Sequence, residues 1–406
     1  MYWRGYAGVL MSQPSELQPR PYIGGQAVIE GVMMRGPRSF VVAVRRPDGQ
    51  IAIREQAWNV LLPKLKFLRW PVFRGAVVLA ESLHNGYSAL SFSSEHGMPE
   101  QNGKSVTPGP SALLTFLWQA IASGADAPPP GGAEGSHTPN GNTRQAQRPQ
   151  EGPPEGKPWP DTRKETRKET RRDRGADLML LLATVFGVAF FIGLPHVLTW
   201  LVGKTLGPSF DSTTVAFHVI DGFFRLLILV GYLAVISRTD DARRLFEYHG
   251  AEHKAIWTYE SKKELTVDNA RPFTTRHPRC GTSFLLIVVA VAVVLHVVVL
   301  PLIPRLHPND LVNQLLMIAI KVPMAFPIAG LAFELQRWSA REGCPAVVRW
   351  MTRPGFWLQN MTTKPPDDGQ QEIALLALDR ALAREQGRPK ASEGVTLYPD
   401  FSKAAA

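Results

Sequence analysis

Hydrophobic residues gather into four long runs in the second half of the chain, at 178–202, 215–236, 282–303 and 311–335. Each is long enough to cross a hydrocarbon layer, which takes about 20 helical residues. The predicted fold is a mainly α-helical multi-pass membrane protein with about four transmembrane helices, its membrane domain running from 178 to 335. Nearer the N-terminus the pattern changes. Residues 39–45 and 50–55 have strand character, and Pro47-Asp48-Gly49 between them supplies the turn of a hairpin. A helix is expected at 74–90, too polar at Glu81 and His84 to span a membrane. Residues 22–96 thus form a small α+β unit ahead of the membrane domain.

A third pattern, with helical period, lies between the second and third runs. Residues 241–260 predict a helix capped by Asp240 or Asp241. At about 100° per residue, Leu245, His249, Glu252, His253 and Ile256 share one arc, while Arg243, Arg244, Glu247 and Lys254 face the other way. After the last run, 336–406 reads as a cytoplasmic tail with amphipathic segments at 340–361 and 370–386. Asp367 or Asp368 caps the second, and Ile373, Leu376 and Leu382 give it an apolar stripe.

Composition changes abruptly at 97–175, which is rich in Pro, Gly, Ser, Gln and charge, and is expected to be disordered apart from a short helix at 111–122. This stretch dilutes the mean hydropathy to near zero. Within it, the Arg-Lys-Glu-Thr repeats of 163–174 have no interleaved aromatics, so they read as a solvated charge run and give no specific nucleic-acid partner. The formal net charge of +10 is largely juxtamembrane, which favours anionic membrane lipids as partners.

Lys and Arg also set orientation. The loop 237–281 carries nine of them, against Lys204 alone in 203–214 and Arg305 alone in 304–310. This predicts a multi-pass protein of the cell inner membrane with the histidine loop and both termini in the cytoplasm. Residues 1–21 lack the apolar core of a cleavable signal peptide, and Met11 is an alternative start. Only Cys280 and Cys344 are cysteines, both predicted cytoplasmic, so no structural disulfide is expected.

The helix at 241–260 carries the candidate chemistry. His249-Gly250-Ala251-Glu252-His253 spells H-x-x-E-H, the inverted zinc-peptidase order. Histidines at i and i+4 can reach one ion, and Glu252 can act as general base toward water that the ion polarises. A divalent metal, zinc by preference, needs a third ligand. The spans bring His277 and Cys280, just ahead of the third run, and Glu334, at the end of the fourth, to the same membrane face. An imidazole, a thiolate and a carboxylate are all acceptable to zinc. Alternatively, Cys280 is a nucleophile activated by His249 or His253. Spacing alone leaves metal binding and a structural histidine network evenly matched, and Gly250 weakens the helix by about 1 kcal/mol relative to alanine.

Two further groups stand out. Asp221, Arg225, Lys321, His196, His218 and His296 lie inside apolar runs, where ionisable groups default to a functional reading. Asp221 and Arg225 can pair across one turn, whereas Lys321 and His296 have no evident partner. With no inverted repeat, a transporter is the weaker class. The segment from Gly24 to Pro37, with four glycines around Gln26, Glu30 and Arg35, reads as turns feeding the hairpin, with Glu30 or Arg35 as a contributor to the site in the sharper reading.

Taken together, Gly24 to Pro37, Tyr248 to Lys254, His277 to Phe284, and Leu358 to Thr363 with Pro366-Asp367-Asp368 resemble the YqhQ-like family of bacterial membrane proteins, a domain of unknown function. The resemblance covers most of 22–378 except the polar insertion, which departs from the compact family pattern. It implies a metal-dependent enzyme, with no substrate. The expected function is therefore a metal-dependent membrane hydrolase. The rival is a non-catalytic scaffold that docks a soluble cytoplasmic protein.

Overall fold

The computed structural model describes residues 21–58, 71–98, 182, 185–207, 209–278, 280–339, 343–388, 390–391 and 393–405. The start of the first predicted span, the helix at 111–122, the repeats at 163–174 and nearly all of the 97–175 insertion lie outside them. The chain divides into two compact units, one of 1–130, 230–291 and 326–406, the other of 131–229 and 292–325.

The first unit is built on an antiparallel sheet of β1 (Gly24–Val28), β2 (Gly31–Arg35), β3 (Ser39–Arg45) and β4 (Ile51–Ala57). The predicted hairpin at Pro47-Asp48-Gly49 is present, with Gly49 at φ 85°. The segment expected to be turns is instead a second hairpin, in which Val28 pairs with Gly31. Glu30 takes the left-handed conformation at φ 53°. Helix α1 (Pro71–Gly97) follows the sheet.

Alternation along β3 and β4 explains why both faces are apolar. Phe40, Val42, Val44 and Ala52 pack with Ala89 and Phe92 of α1. Val41, Ala43, Ile51 and Ile53 point the other way, into the larger core. A strand buried on both faces needs a near-continuous apolar run, as Phe40-Val41-Val42-Ala43-Val44 supplies. Each fully buried Val, Ile or Phe contributes on the order of 1.5–3 kcal/mol.

Among the described residues, four helices are long and apolar enough to cross a membrane: α2 (Val185–Leu206), α3 (Val215–Ile236), the Gly281–Leu302 stretch and Asp310–Ser339. Within α2, Ala189–Gly193 forms a π-helical turn ahead of Pro195. Between α3 and the third span lie α4 (Asp240–Glu260) and the short α5 (Val267–Ala270). The cap of α4 is Thr239, whose hydroxyl accepts from Ala242 N, while Asp240 and Asp241 occupy the first turn. The hydroxyl satisfies an orphan N–H and the two carboxylates favour the positive end of the helix dipole.

The third span is α6 (Gly281–Val299) with a 3₁₀ turn at Leu300–Leu302, and the fourth is α7 (Asp310–Ser339). Helix α8 (Ala346–Thr362) leads to α9 (Asp368–Glu385), capped by Asp367 in a reciprocal capping box with Gln370. Leu375, Leu376 and Leu378 of α9 and Tyr248, Ala251 and Ala255 of α4 fill the larger core. Finally β5 (Gly394–Tyr398) pairs antiparallel with β4 to complete a five-stranded sheet, followed by α10 (Phe401–Ala405). Residues 24–28 and 394–398 therefore share one sheet, with α4 laid against β1.

Candidate metal centre

Every position on the predicted α4 stripe is buried: Leu245, His249, Glu252, His253 and Ile256. The helix runs through Gly250, and the lack of a side chain there permits a close contact. A β-carbon there would lie 2.0 Å from the carbonyl oxygen of Lys364. The close approach is tied down where Lys364 N donates to Phe246 O at 2.8 Å.

His249 and His253 are oriented by backbone carbonyls. The Nδ1 of His249 is 2.7 Å from Thr362 O, and the Nδ1 of His253 bonds Thr275 O. A carbonyl can only accept, so both rings carry their proton on Nδ1 and present Nε2 as a lone pair. Burial pushes His249 down to about 4 and His253 well below the usual imidazole range, the latter helped by the neighbouring His249 and His277. Both are therefore neutral near pH 7, the form that binds metal.

Cys280 completes the cluster. Its Sγ is 3.3 Å from His249 Nε2 and 3.0 Å from Thr282 Oγ1. Donor atoms of His249, His253 and Cys280 all lie within 4.8 Å of one another, and all three side chains are buried. Cys280 immediately precedes α6, so the positive end of a helix dipole favours its thiolate. The loop is held by Gln359, whose Oε1 accepts from His277 N while its Nε2 donates to His277 O and Ser283 Oγ.

The other expected ligands stand differently. His277 lines the same small cavity as Glu252, His253 and Cys280, but its Nε2 faces Glu260 Oε2 at 3.4 Å. Burial pushes it down to about 3. Glu334, half-buried on α7, is not among the converging donors. Glu252 is 2 % exposed and borders the cavity. A β-carbon on Gly25 of β1 would come within 2.7 Å of its Cγ and Oε1. Glu30 and Arg35 reach elsewhere: Glu30 pairs with Arg244 and Arg35 bonds Ser82 Oγ.

Sequence reasoning missed Thr275 and Thr362, because they act through main-chain carbonyls that any residue carries. It also missed Gln359 as a clamp, although that residue sits in a segment the resemblance had marked. The arrangement offers two imidazole nitrogens and one sulfur, a donor set that could hold a metal ion.

Comparison with known proteins places the chain in a family. "Uncharacterized protein YqhQ" of Bacillus subtilis (strain 168) is 28% identical over 372 residues, covering 90% of this chain and 93% of the relative. No solved structure matches. The family described as "Protein of unknown function (DUF1385)" matches residues 70–384, which include His249, His253 and Cys280, and the chain belongs to that family.

Proposed function

We propose that this protein is a metal-dependent hydrolase of the inner membrane, with a divalent ion, zinc by preference, held by His249, His253 and Cys280 at the cytoplasmic face. The observation that carries the metal site is the pair of Nδ1-to-carbonyl bonds. They fix both rings as neutral tautomers, and one donor atom from each ring lies within 4.8 Å of the other's and of the Cys280 sulfur. Such outer partners are the usual means of orienting metal-binding histidines. When bound, the ion would supply Lewis acidity that makes water a nucleophile near pH 7. Glu252, bordering the same cavity, would take the proton as general base, and Gly25 holds its carboxylate in place by close packing. The cytoplasmic orientation is supported by nine basic residues in 237–281 against one in each flanking loop.

One observation favours a second reading. All three donors are deeply buried, and the cavity that His253 and Cys280 line holds about 10 Å³, room for about one water. A closed site of this kind suits a structural metal in a non-catalytic scaffold. The donor count favours catalysis, since three protein ligands leave a fourth position open. Glu252→Gln separates the readings, because it keeps size and most hydrogen bonding but cannot act as base. For a hydrolase, detergent-purified wild type and Glu252→Gln both hold about one zinc per chain, and only wild type complements a deletion strain. His249→Ala with His253→Ala loses the metal. Equal substoichiometric metal in wild type and the double variant rejects the metal site. Full complementation by Glu252→Gln leaves the scaffold.

A further inference from the structure

The second unit buries a polar cluster that the metal centre does not use. Asp221 lies at its middle, accepting from Lys321 Nζ at 2.8 Å and from Arg225 Nη2 at 3.2 Å. Lys321, which lacked an evident partner in the sequence, thus has one. Its Nζ is also 2.9 Å from His196 Nδ1, and His196 Nε2 is 2.9 Å from Gln314 Oε1. Gln314 Nε2 in turn donates to Asp310 Oδ1 at 3.2 Å. The direction of each bond is forced. Lysine donates, so His196 Nδ1 accepts, and the ring proton on Nε2 goes to the glutamine oxygen. His196 is therefore neutral, and His218 spends its Nε2–H on Ser212 O at 2.9 Å.

Among the described residues the charges do not balance. Arg225 and Lys321 bring two positive charges against one carboxylate, and Lys321 and Asp221 are 1% exposed. Asp310 does not make up the difference, since its side chain is 44% exposed and lies 3.5 Å from Arg305. An uncompensated charge in a membrane span is expensive. Donor capacity is also left over. Among the described residues, Arg225 Nε and both ring nitrogens of His296 are buried without a hydrogen-bond partner. The two helices meet close by, where Val293, one turn before His296, packs against Gly222, the residue after Asp221.

We propose that Arg225, Lys321 and His296 form a binding site for a small inorganic monoanion such as chloride within the apolar helices. Loss of a proton from Lys321 would cancel the surplus charge, yet it would leave the N–H groups of Arg225 and His296 unmatched. A monoanion answers both, because it carries the missing negative charge and accepts from those donors. A protonated His296 would strengthen the same site.

The test uses the full-length protein in neutral detergent, with unfolding followed by tryptophan fluorescence. Sodium chloride replaces sodium gluconate at constant ionic strength. The unfolding midpoint is expected to rise with the logarithm of chloride concentration, and bromide to substitute for chloride. Lys321→Met removes the surplus charge and His296→Phe removes a donor at similar ring size, so each should abolish the dependence. A wild-type midpoint equal in chloride and gluconate overturns the proposal and leaves proton loss from Lys321 as the way the charge is removed. Undiminished dependence in either variant also overturns it. The wild-type titration decides the first point even if a variant does not fold.

Discussion

Gly25 on β1 and Glu252 on α4 are packed so closely that a β-carbon on the glycine would lie 2.7 Å from the glutamate Cγ. They are 227 positions apart in the sequence, and the contact holds the proposed base beside the ligand cluster. Gly25→Ala is therefore expected to displace Glu252 while leaving His249, His253 and Cys280 intact. The variant should keep its zinc, lose about 1–3 kcal/mol of stability as over-packed cores do, and fail to complement a deletion strain. Metal content and complementation measured on the same variant check this. Full complementation would show that the position of Glu252 does not matter.

Gly250 reverses an ordinary expectation. Glycine to alanine inside a helix normally stabilises by about 1 kcal/mol. Here the added carbon would sit 2.0 Å from the Lys364 carbonyl oxygen, a main-chain atom that cannot rotate away. Gly250→Ala should destabilise the protein and push apart α4 and the 362–364 segment that orients His249. A lowered unfolding midpoint together with weakened zinc retention is the expected result. A raised midpoint would mean that α4 and Lys364 are not in contact.

The buried histidines give the metal-free protein a definite pH dependence. In the unfolded chain they titrate near 6.5, whereas in the fold burial holds His249 at about 4 and His277 at about 3. Between those values the unfolded state binds more protons, so stability is fully present above about pH 6.5 and falls as the pH drops through the folded values. Denaturant unfolding of chelator-treated protein between pH 7 and pH 4 should show this fall. His277→Gln, which cannot take up a proton, should make it shallower. A stability that is flat across the window contradicts neutral burial.

Orientation can be tested independently of chemistry. A cysteine introduced at Ser261, just after α4, should be shielded from membrane-impermeant reagent in intact cells. One at Ser209, between α2 and α3, should be labelled. The native cysteines are both buried, which keeps the background low. Labelling at Ser261 or protection at Ser209 would place the ligand cluster on the other side of the membrane.

Much of this architecture is written locally. Four apolar runs of span length, the 39–45 and 50–55 alternation around Asp48-Gly49, and the shared face of His249, Glu252 and His253 follow from periodicity. Solvent and apolar surroundings sort side chains in the same way wherever a helix or strand lies. Other features depend on contacts between distant parts of the chain. Sequence pattern points to Asp240 or Asp241 as the cap, and only the backbone shows that it is the Thr239 side chain that reaches Ala242. Topology brings His277, Cys280 and Glu334 forward as equal candidates, and only the packing of α8 and Gln359 against the 277–283 loop puts the sulfur beside His249. The carbonyls of Thr362 and Thr275, which set both tautomers, leave no trace in residue type because every residue has one. Likewise β5 joins β4 across more than 330 residues, and Lys321 meets Asp221 across 100. Periodicity assigns a residue to a face, but its partner on that face is chosen by which distant segment can pack there without leaving a donor, an acceptor or a charge unmatched.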